Sequence, residues 1–487
     1  MKRVLLTHSY FLRFDPKQWK MQQAYPPLAT LYAASLLREN NFDVQVFDPM
    51  FEFSAEAISP VIESFKPDYL VIYDDGFNYL TKMCLTNMRE AAFRMLKIAS
   101  DKNIITAISS SDSTDHSLDY LQHGANYIIR GEGEITLLEL LTGLAKGNSQ
   151  LDQINGLAFL KEDKMVTTPK RDVLRDLDVL PHPAWDLIDV SGYKNRWRKS
   201  GTHFSLNIST TRGCPFHCNW CAKPIYGNRY NVHSPKYVTD EIKFLKEKFG
   251  ANYFWMTDDI FGLKPGWVKE FADLIEKEIP GIRFKIQSRV DLLTTENTVE
   301  HLARAGCDAV WMGAESGSQK ILDAMDKGTT VDQIREATAL LKKNKIHPAF
   351  FLQFGYPGET MKDIRMTLKM VEELQPDDIG ISVSYPLPGT VFYERIKREM
   401  GQKKNWTDSD DLSVMFKSPF PAEFYKNLQR YVHRSFRLRQ GLELIKGKSA
   451  GMSSGKIKRA MALPLHFLGK KYHLRKMKSI SEEASVL

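Results

Sequence analysis

Short apolar runs of four or five residues recur along this chain, each set off from the next by a stretch with apolar positions at helical spacing. Val4–Thr7, Val44–Phe47, Tyr69–Tyr73, Ile104–Ile108 and Asn126–Ile129 form a first series, with Leu28–Glu39, Ala55–Phe65 and Leu85–Ser100 as helices between them. Phe204–Ile208, Tyr253–Thr257, Arg283–Gln287, Ala309–Met312, Pro348–Leu352 and Ile379–Val383 form a second, with helices such as Val238–Lys248 and Gly266–Glu276 in between. Strand–helix alternation specifies parallel sheets, because each crossover helix returns the chain in the direction it came from. The first series predicts an α/β, doubly wound, Rossmann-like domain over residues 1–150. The second predicts a partial (βα)6 TIM-type barrel over residues 201–395. Between them, residues 151–200 read as a linker with one β-rich segment, Gly156–Leu160, and with Pro181 and Pro183 holding it extended. Residues 396–487 read as a helical, basic C-terminal region. A chain of 487 residues has ample length for these parts.

Loops at the C-terminal ends of parallel strands are where such folds carry ligands. The loop after the first barrel strand runs Thr211-Arg-Gly-Cys-Pro-Phe-His-Cys-Asn-Trp-Cys-Ala222, which spaces Cys214, Cys218 and Cys221 as CxxxCxxC. Three thiolates on one short loop can close around a metal cluster but cannot complete a four-thiolate site alone. Zinc usually takes two separated ligand pairs, and a four-iron cluster normally draws on a fourth Cys. The other two cysteines, Cys84 and Cys307, read as helix or helix-end residues and offer no second cluster loop. The simplest reading is a [4Fe–4S] cluster with one iron left open for a small molecule, and an open metal position is a catalytic feature.

CxxxCxxC with Trp220 just before the last Cys resembles the signature of the radical S-adenosylmethionine (radical SAM) family. The resemblance implies that SAM chelates the open iron and is cleaved to a 5′-deoxyadenosyl radical. It also assigns roles at the strand ends. Asp258 and Asp259, after the second barrel strand, match the place where the family binds the SAM amino group. Arg289, after the third, suits a carboxylate through its planar fork, although a structural ion pair is the competing reading. Gly313-Ala-Glu-Ser-Gly317 is similar to the family's G-x-E-S-G segment, where Glu315 accepts hydrogen bonds from SAM and Ser316 assists. Gly355 and Pro357, in Gln353–Glu359, resemble the G-x-P-G-E turn that packs near adenine, and Pro386–Thr390 resembles a closing P-x-P-G-T segment.

The loops of the first domain are polar and small: Asp74-Asp75-Gly76 and Ser109–Thr114. They could cradle a nucleotide or phosphate tail, or be ordinary loops. Together with Tyr25–Leu28, Phe47-Asp48-Pro49 and Arg130–Glu134, they resemble the cobalamin-binding domain that precedes many radical SAM barrels. That group includes methyltransferases and the anaerobic Mg-protoporphyrin monomethyl ester cyclase. The resemblance implies cobalamin contacts from Asp75, Gly76, Ser109, Ser110, Ser111, Arg130, Gly131 and Glu132. Two departures stand out: no DxHxxG motif follows the first strand, and Ser109–Ser111 stand where a Gly-rich turn is usual. His116 is a weaker candidate for the missing axial ligand, since a solvated or capping role suits its position better.

Five cysteines, three of them in one loop, argue against a disulfide framework and for a reducing, cytoplasmic setting. Met1–Leu6 is basic then apolar, but the run stops at Thr7-His8 without a cleavage site, so a buried first strand is expected. The net charge of +8 is modest and concentrated late, so no nucleic acid is expected as a partner. The basic stretch Lys456–Lys478 around Met461–Leu468 is a candidate for peripheral membrane contact, with a solvated helix face as the competing reading. The expected partners are an unidentified small-molecule or lipid-like substrate and a flavodoxin- or ferredoxin-type electron donor. The function expected is a radical SAM enzyme that, with cobalamin, methylates, cyclises or rearranges an unactivated carbon. Two alternatives stay open: a cobalamin-independent enzyme with a substrate-binding first domain, and a non-catalytic cobalamin or cluster sensor.

Overall fold

Tyr69-Leu-Val-Ile-Tyr73 is buried along its whole length, as a strand covered by helices on both faces must be. In the computed structural model, which describes residues 1–77, 85–147, 150–223, 225–295, 297–401, 405–407, 414–445 and 461–486, it is β3 of a seven-stranded sheet. The others are β1 (Arg3–Thr7), β2 (Asp43–Phe47), β4 (Ile105–Ser109), β5 (Tyr127–Ile129), β6 (Leu157–Lys161) and β7 (Lys164–Thr167). Their order is β2-β1-β3-β4-β5-β6-β7, with β1 to β5 parallel and β6 and β7 antiparallel. The order reverses between β1 and β3, which is the crevice where doubly wound sheets take ligands. The β6–β7 hairpin carries this sheet past residue 150 to Thr167, because the three-residue β5 would otherwise leave an open edge beside Leu157 and Ala158.

Six parallel strands make the second sheet: β8 (Ser205–Ile208), β11 (Tyr253–Met256), β12 (Arg283–Ser288), β13 (Cys307–Glu315), β14 (His347–Phe354) and β15 (Asp378–Val383), in that spatial order. This is the curled half-barrel expected from the alternation. A two-stranded ribbon, β9 (Thr211–Arg212) against β10 (Asn231–Val232), stands at its mouth. Cys307 begins a strand and is buried, where a helix end was expected; Gly306 turns the chain just before it. Cys84 lies outside the described residues. The segment Ser109–Thr114, read as a loop, contains the short helix Ser111–Asp115, started by a capping box in which Ser110 and Ser113 bond to each other's backbone N–H.

The two sheets are tied by the proline segment. Ala184 N donates to Leu31 O on the helix Leu28–Glu39 of the first sheet, and Arg38 clasps Asp186 with both guanidinium nitrogens. Trp185, fully buried, donates from Nε1 to Glu241 Oε1 at 3.3 Å on the barrel helix Pro235–Phe249. Burial pushes Glu241 up to about 8, and its other oxygen has no partner. A carboxyl raised in this way holds a proton in the folded chain that the unfolded chain has released. Stability therefore falls as pH rises from about 4.5 to about 8. Glu241→Gln, which needs no proton, should gain about 3 kcal/mol over the parent at pH 7 and little near pH 5. Thermal melts across that range check it, and parallel pH profiles would refute the assignment.

The C-terminal region folds as two helices, Ala422–Ile445 and Leu463–Val486. His473 meets Asn427, Lys470 covers Tyr431 and Arg434 meets His466, and these pairs run in opposite directions, so the helices are antiparallel. Arg439 and Gln440 fasten the first of them to the carbonyls of Val371, Pro376 and Asp377 on the barrel. The second exposes Leu465, Leu468 and Tyr472 along one line. No helix among the described residues is long and apolar enough to cross a membrane.

Candidate active site

The cysteine loop is held at its base from both sheets. β9 and β10 close its two ends. Asp258, fully buried after β11, accepts from the backbone N–H of Thr210 (2.7 Å) and Thr211 (2.8 Å) and from the Thr210 hydroxyl. Burial pushes this carboxyl up to about 7. Asp258 thus braces the loop, with Oδ1 accepting two backbone N–H bonds and Oδ2 one hydroxyl. Arg212, two residues before Cys214, is 1% exposed in its side chain and donates to Glu132 (2.5 Å) and Glu134 (2.9 Å) from the loop after β5. Its guanidinium also lies 5.3–5.5 Å from the ring centres of Tyr32, Phe77 and Tyr226. An arginine buried this completely is sustained only by paired carboxylates and aromatic faces.

Within the loop, Asn219 is the anchor. Its N–H donates to Met325 O, its amide donates to Ala324 O and Asp326, and its side-chain oxygen accepts from Tyr356 at 2.8 Å. Trp220 packs against Ile321, Met325, Tyr356 and Phe392, with its indole N–H buried and unpartnered. Cys214, Cys218 and Cys221 are left half-buried at the barrel mouth. Burial raises the Cys214 thiol and pushes Cys221 up to about 12; Asp259 adds to both shifts and Lys223 opposes them. Thiols in this setting become thiolates when a bound cation supplies the compensating charge. Among the described residues no group of three His, Cys, Asp or Glu side chains is arranged around a single metal ion. Three thiols that each take a different iron of one cluster need no such convergence, and the donor set fits an iron–sulfur cluster with one open iron.

Cations and carboxylates ring this loop. Arg289 Nη1 lies 3.8 Å from Cys218 Sγ and 2.9 Å from Lys327 O, its guanidinium covers Phe216 at 3.7 Å, and Asp291 pairs with it at 3.0 Å. Arg289 is thus ion-paired with Asp291, as the competing reading has it, and faces the cluster loop. Asp259 is exposed, within electrostatic reach of Cys214 and Cys221, at the position expected for a group that meets SAM. Glu315 ends β13 in the left-handed region, at φ 55°, and its carboxylate meets Lys327 Nζ at 2.8 Å. A non-glycine residue there is strained, and such strain concentrates at functional sites. Gly313 makes room for the pair, since a Cβ on it would stand 2.5 Å from Lys327 Nζ and 2.8 Å from the Glu315 carboxylate. Burial alone would lower Lys327; the Glu315 carboxylate and the Cys218 thiol beside it reverse this and hold it raised.

Ser316 and Gly355, named for SAM, also make bonds that build the mouth. The Ser316 hydroxyl is fully buried against Thr367 and accepts from Ser318 N–H. Gly355, at φ 81°, donates its N–H to Glu359 and packs on the Tyr425 ring, while Pro357 is exposed. That turn serves the cluster loop through Tyr356 and Asn219.

Several of the residues named for cobalamin also make contacts within the protein. Asp75 accepts from Ala29 and Phe77 N–H, Ser110 caps its helix, and Glu132 binds Arg212 and Leu174 N–H. Ser109 closes β4, Ser111 is buried in the short helix, and Arg130 N–H donates to Gly156 O. A Cβ on Gly76 would stand 2.4 Å from the Ile225 side chain, and one on Gly131 3.6 Å from Ile225 O. Through Arg212, Glu132 holds the base of the cluster loop against the first sheet. His116 sits between two short helices, facing Asp112 and Asp119. His8 accepts from Tyr10 N–H at Nδ1 and so donates from Nε2 to Asp48 at 2.9 Å. A cleft of about 570 Å³ lined by Ser100, Gly124, Tyr127 and Phe159 opens at the opposite end of that sheet, away from this chemistry.

The description of the radical SAM superfamily matches residues 208–371. An uncharacterized methyltransferase of Pyrococcus horikoshii is 29% identical over 422 residues, covering 85% of this chain and 88% of the relative. The anaerobic magnesium-protoporphyrin IX monomethyl ester cyclase of Rubrivivax gelatinosus is 28% identical over 394 residues, covering 78% of this chain and 67% of the cyclase. Among solved structures, the cobalamin-dependent S-adenosylmethionine radical enzyme OxsB with aqua-cobalamin bound shares the fold with a TM-score of 0.73 at 18% identity, over 96% of this chain and 72% of OxsB. With three thiols on one clamped loop at the mouth of a six-stranded half-barrel, residues 208–371 of this chain form a radical SAM domain.

Proposed function

We propose that the chain carries out radical chemistry on an unactivated carbon of a small molecule, methylating or cyclising it, with cobalamin bound between the first sheet and the barrel mouth. The observation that carries the radical part is the cluster loop itself, clamped with Arg289, Lys327 and Glu315 at its rim. When bound, the cluster and SAM would supply one-electron hydrogen-abstraction chemistry, with the electron coming from a flavodoxin- or ferredoxin-type protein. Cys214, Cys218 and Cys221 hold the cluster. Arg289 and Lys327 place positive charge beside Cys218, which favours electron entry and offers partners to the SAM carboxylate. Asp259 and Glu315 present carboxylate oxygens to the SAM amino and ribose groups. Asn219, Tyr356 and Asp258 keep the loop from shifting as it binds.

Cobalamin is supported by the strand order of the first sheet and by the likeness to OxsB. The pairing of Arg212 with Glu132 and Glu134 favours a second reading, in which the first sheet only braces the cluster loop and borders the substrate site. Anaerobic reconstitution with iron, sulfide and hydroxocobalamin separates the two. A corrinoid absorption spectrum that survives desalting, at about one per chain, is expected; its absence from a chain that still forms 5′-deoxyadenosine would establish the second reading.

A further inference from the structure

Side chains alternate along a strand, and residues in register across parallel strands share a face. In the half-barrel the outward set, Phe254, Ile286, Val310 and Phe350 among it, is completely buried against the helices. The inward set is only half-buried and chemically different. Trp255 and Lys285 are in register on neighbouring strands, Gln287 and Trp311 are in register one step nearer the mouth, and Phe351 follows on β14. Trp311 stacks on Phe351 with ring centres 4.8 Å apart, forming one flat wall. Gly380 backs that wall, where a Cβ would stand 3.2 Å from Phe351 and 3.3 Å from Trp311.

Lys285 is the unusual member. Its Nζ lies 5.1 Å from the Trp255 ring centre and 5.4 Å from that of Tyr25, which the first sheet's domain sends into the barrel. Among the described residues it has no ion pair and no hydrogen bond. A lysine drawn into a barrel usually acquires a carboxylate; this one has two aromatic faces, which attract a cation without neutralising it. It stands on β12 four residues before Arg289, which directly follows that strand, so it lies about 13 Å from the rim at about 3.3 Å per residue. Buried acceptors without partners, Asn207 Oδ1 and Gln353 Oε1, lie on this same inner face.

Taking the barrel mouth as the place where SAM is cleaved, we propose that the barrel interior is the substrate site and that it takes a flat aromatic or conjugated carboxylate. The carboxylate pairs with Lys285, the ring system lies along Trp311 and Phe351, and the far end reaches the mouth beside Glu315 and Lys327. The depth of Lys285 sets the length: the carbon attacked stands roughly 10 Å from the anionic group. Neutral sugars and cationic substrates are selected against by the same lysine.

Calorimetric titration of the full chain with indole-3-butyrate and with its neutral carboxamide tests this without requiring turnover. The acid should bind about tenfold to a hundredfold more tightly than the amide. Lys285→Met, which keeps the stem and removes the charge, should erase that preference, and Lys285→Arg should restore most of it. Trp311→Leu should weaken acid and amide alike. Equal or absent binding of the two probes by the parent chain, or a preference that persists in Lys285→Met, would overturn the proposal. Formation of 5′-deoxyadenosine by the parent chain is read separately. A chain that forms it but shows no preference for the acid refutes this inference alone, and the converse result refutes the radical reading alone.

Discussion

Cys218→Ala is expected to abolish 5′-deoxyadenosine formation and to lower iron and sulfide retention well below that of the parent chain. The spacing of Cys214, Cys218 and Cys221 provides three thiolates, each for a different iron, and no fourth cysteine in the described residues lies near enough to replace one. Cys307 is buried at the start of β13, where burial raises its thiol far above the usual range, so it is a poor substitute ligand. Cys218 is also the thiol that Arg289 and Lys327 face; both cations keep a carboxylate partner, Asp291 and Glu315, when it is removed, so the loss falls on the cluster. Anaerobic reconstitution followed by iron and sulfide determination, and chromatography of the SAM cleavage products, measures both effects. Cys307→Ala is the control and should retain a full cluster. A Cys218→Ala chain that still holds four irons and still makes the product would show that another group supplies the ligand, and the cluster assignment would fail.

Much of this arrangement is written locally in the chain. Fully covered parallel strands are apolar runs, so each of the eleven parallel strands coincides with a run visible beforehand, to within a few residues at either end. The cysteine loop is legible for the same reason, since its ligands lie within eight residues. What was not legible is the set of partners brought in from far along the chain. Arg212 meets Glu132 across 80 residues, and Asn219 meets Tyr356 across 137. No periodicity encodes such pairs, because each depends on how the two sheets dock. Asp258 and Ser316 illustrate the consequence: polar residues at strand ends suggest ligand contacts, and the sequence does not show that their oxygens also accept backbone N–H bonds that the loops would otherwise leave unmet. Lys327 was missed although it lies only twelve residues from Glu315, because a lysine after a short helix looks solvated until Gly313 is seen to admit it. Ser110 could have been found from its Ser-x-x-Ser spacing; the third residue is Ser rather than Glu or Gln, which disguised the capping box.

Arg212→Met is expected to cost about 3–5 kcal/mol of stability, the range for breaking a buried ion pair from one side. The reason is what it leaves behind. Glu132 and Glu134 are 5% and 2% exposed in their side chains, and with Arg212 gone both face an apolar gap lined by Tyr32, Phe77 and Tyr226. Burial already raises Glu132, and Arg212 is the largest influence holding it down. Without the arginine it rises further and folds with a proton that the unfolded chain has lost. The penalty should therefore be small near pH 5 and grow as pH rises through 7 and 8. Because Arg212 closes the β9–β10 ribbon two residues before Cys214, cluster retention should fall in step with stability. The triple variant Arg212→Met with Glu132→Gln and Glu134→Gln separates charge from packing: removing every ionised partner together should recover most of the loss, as replacing whole buried ion networks commonly does. Melting temperature against pH for both variants, with iron content beside it, decides the matter. If Arg212→Met melts with the parent at pH 8 and keeps its iron, the triad does not couple the first sheet to the cluster loop. If it melts early but the triple variant does not recover, the arginine acts through its aromatic contacts and the carboxylates are incidental.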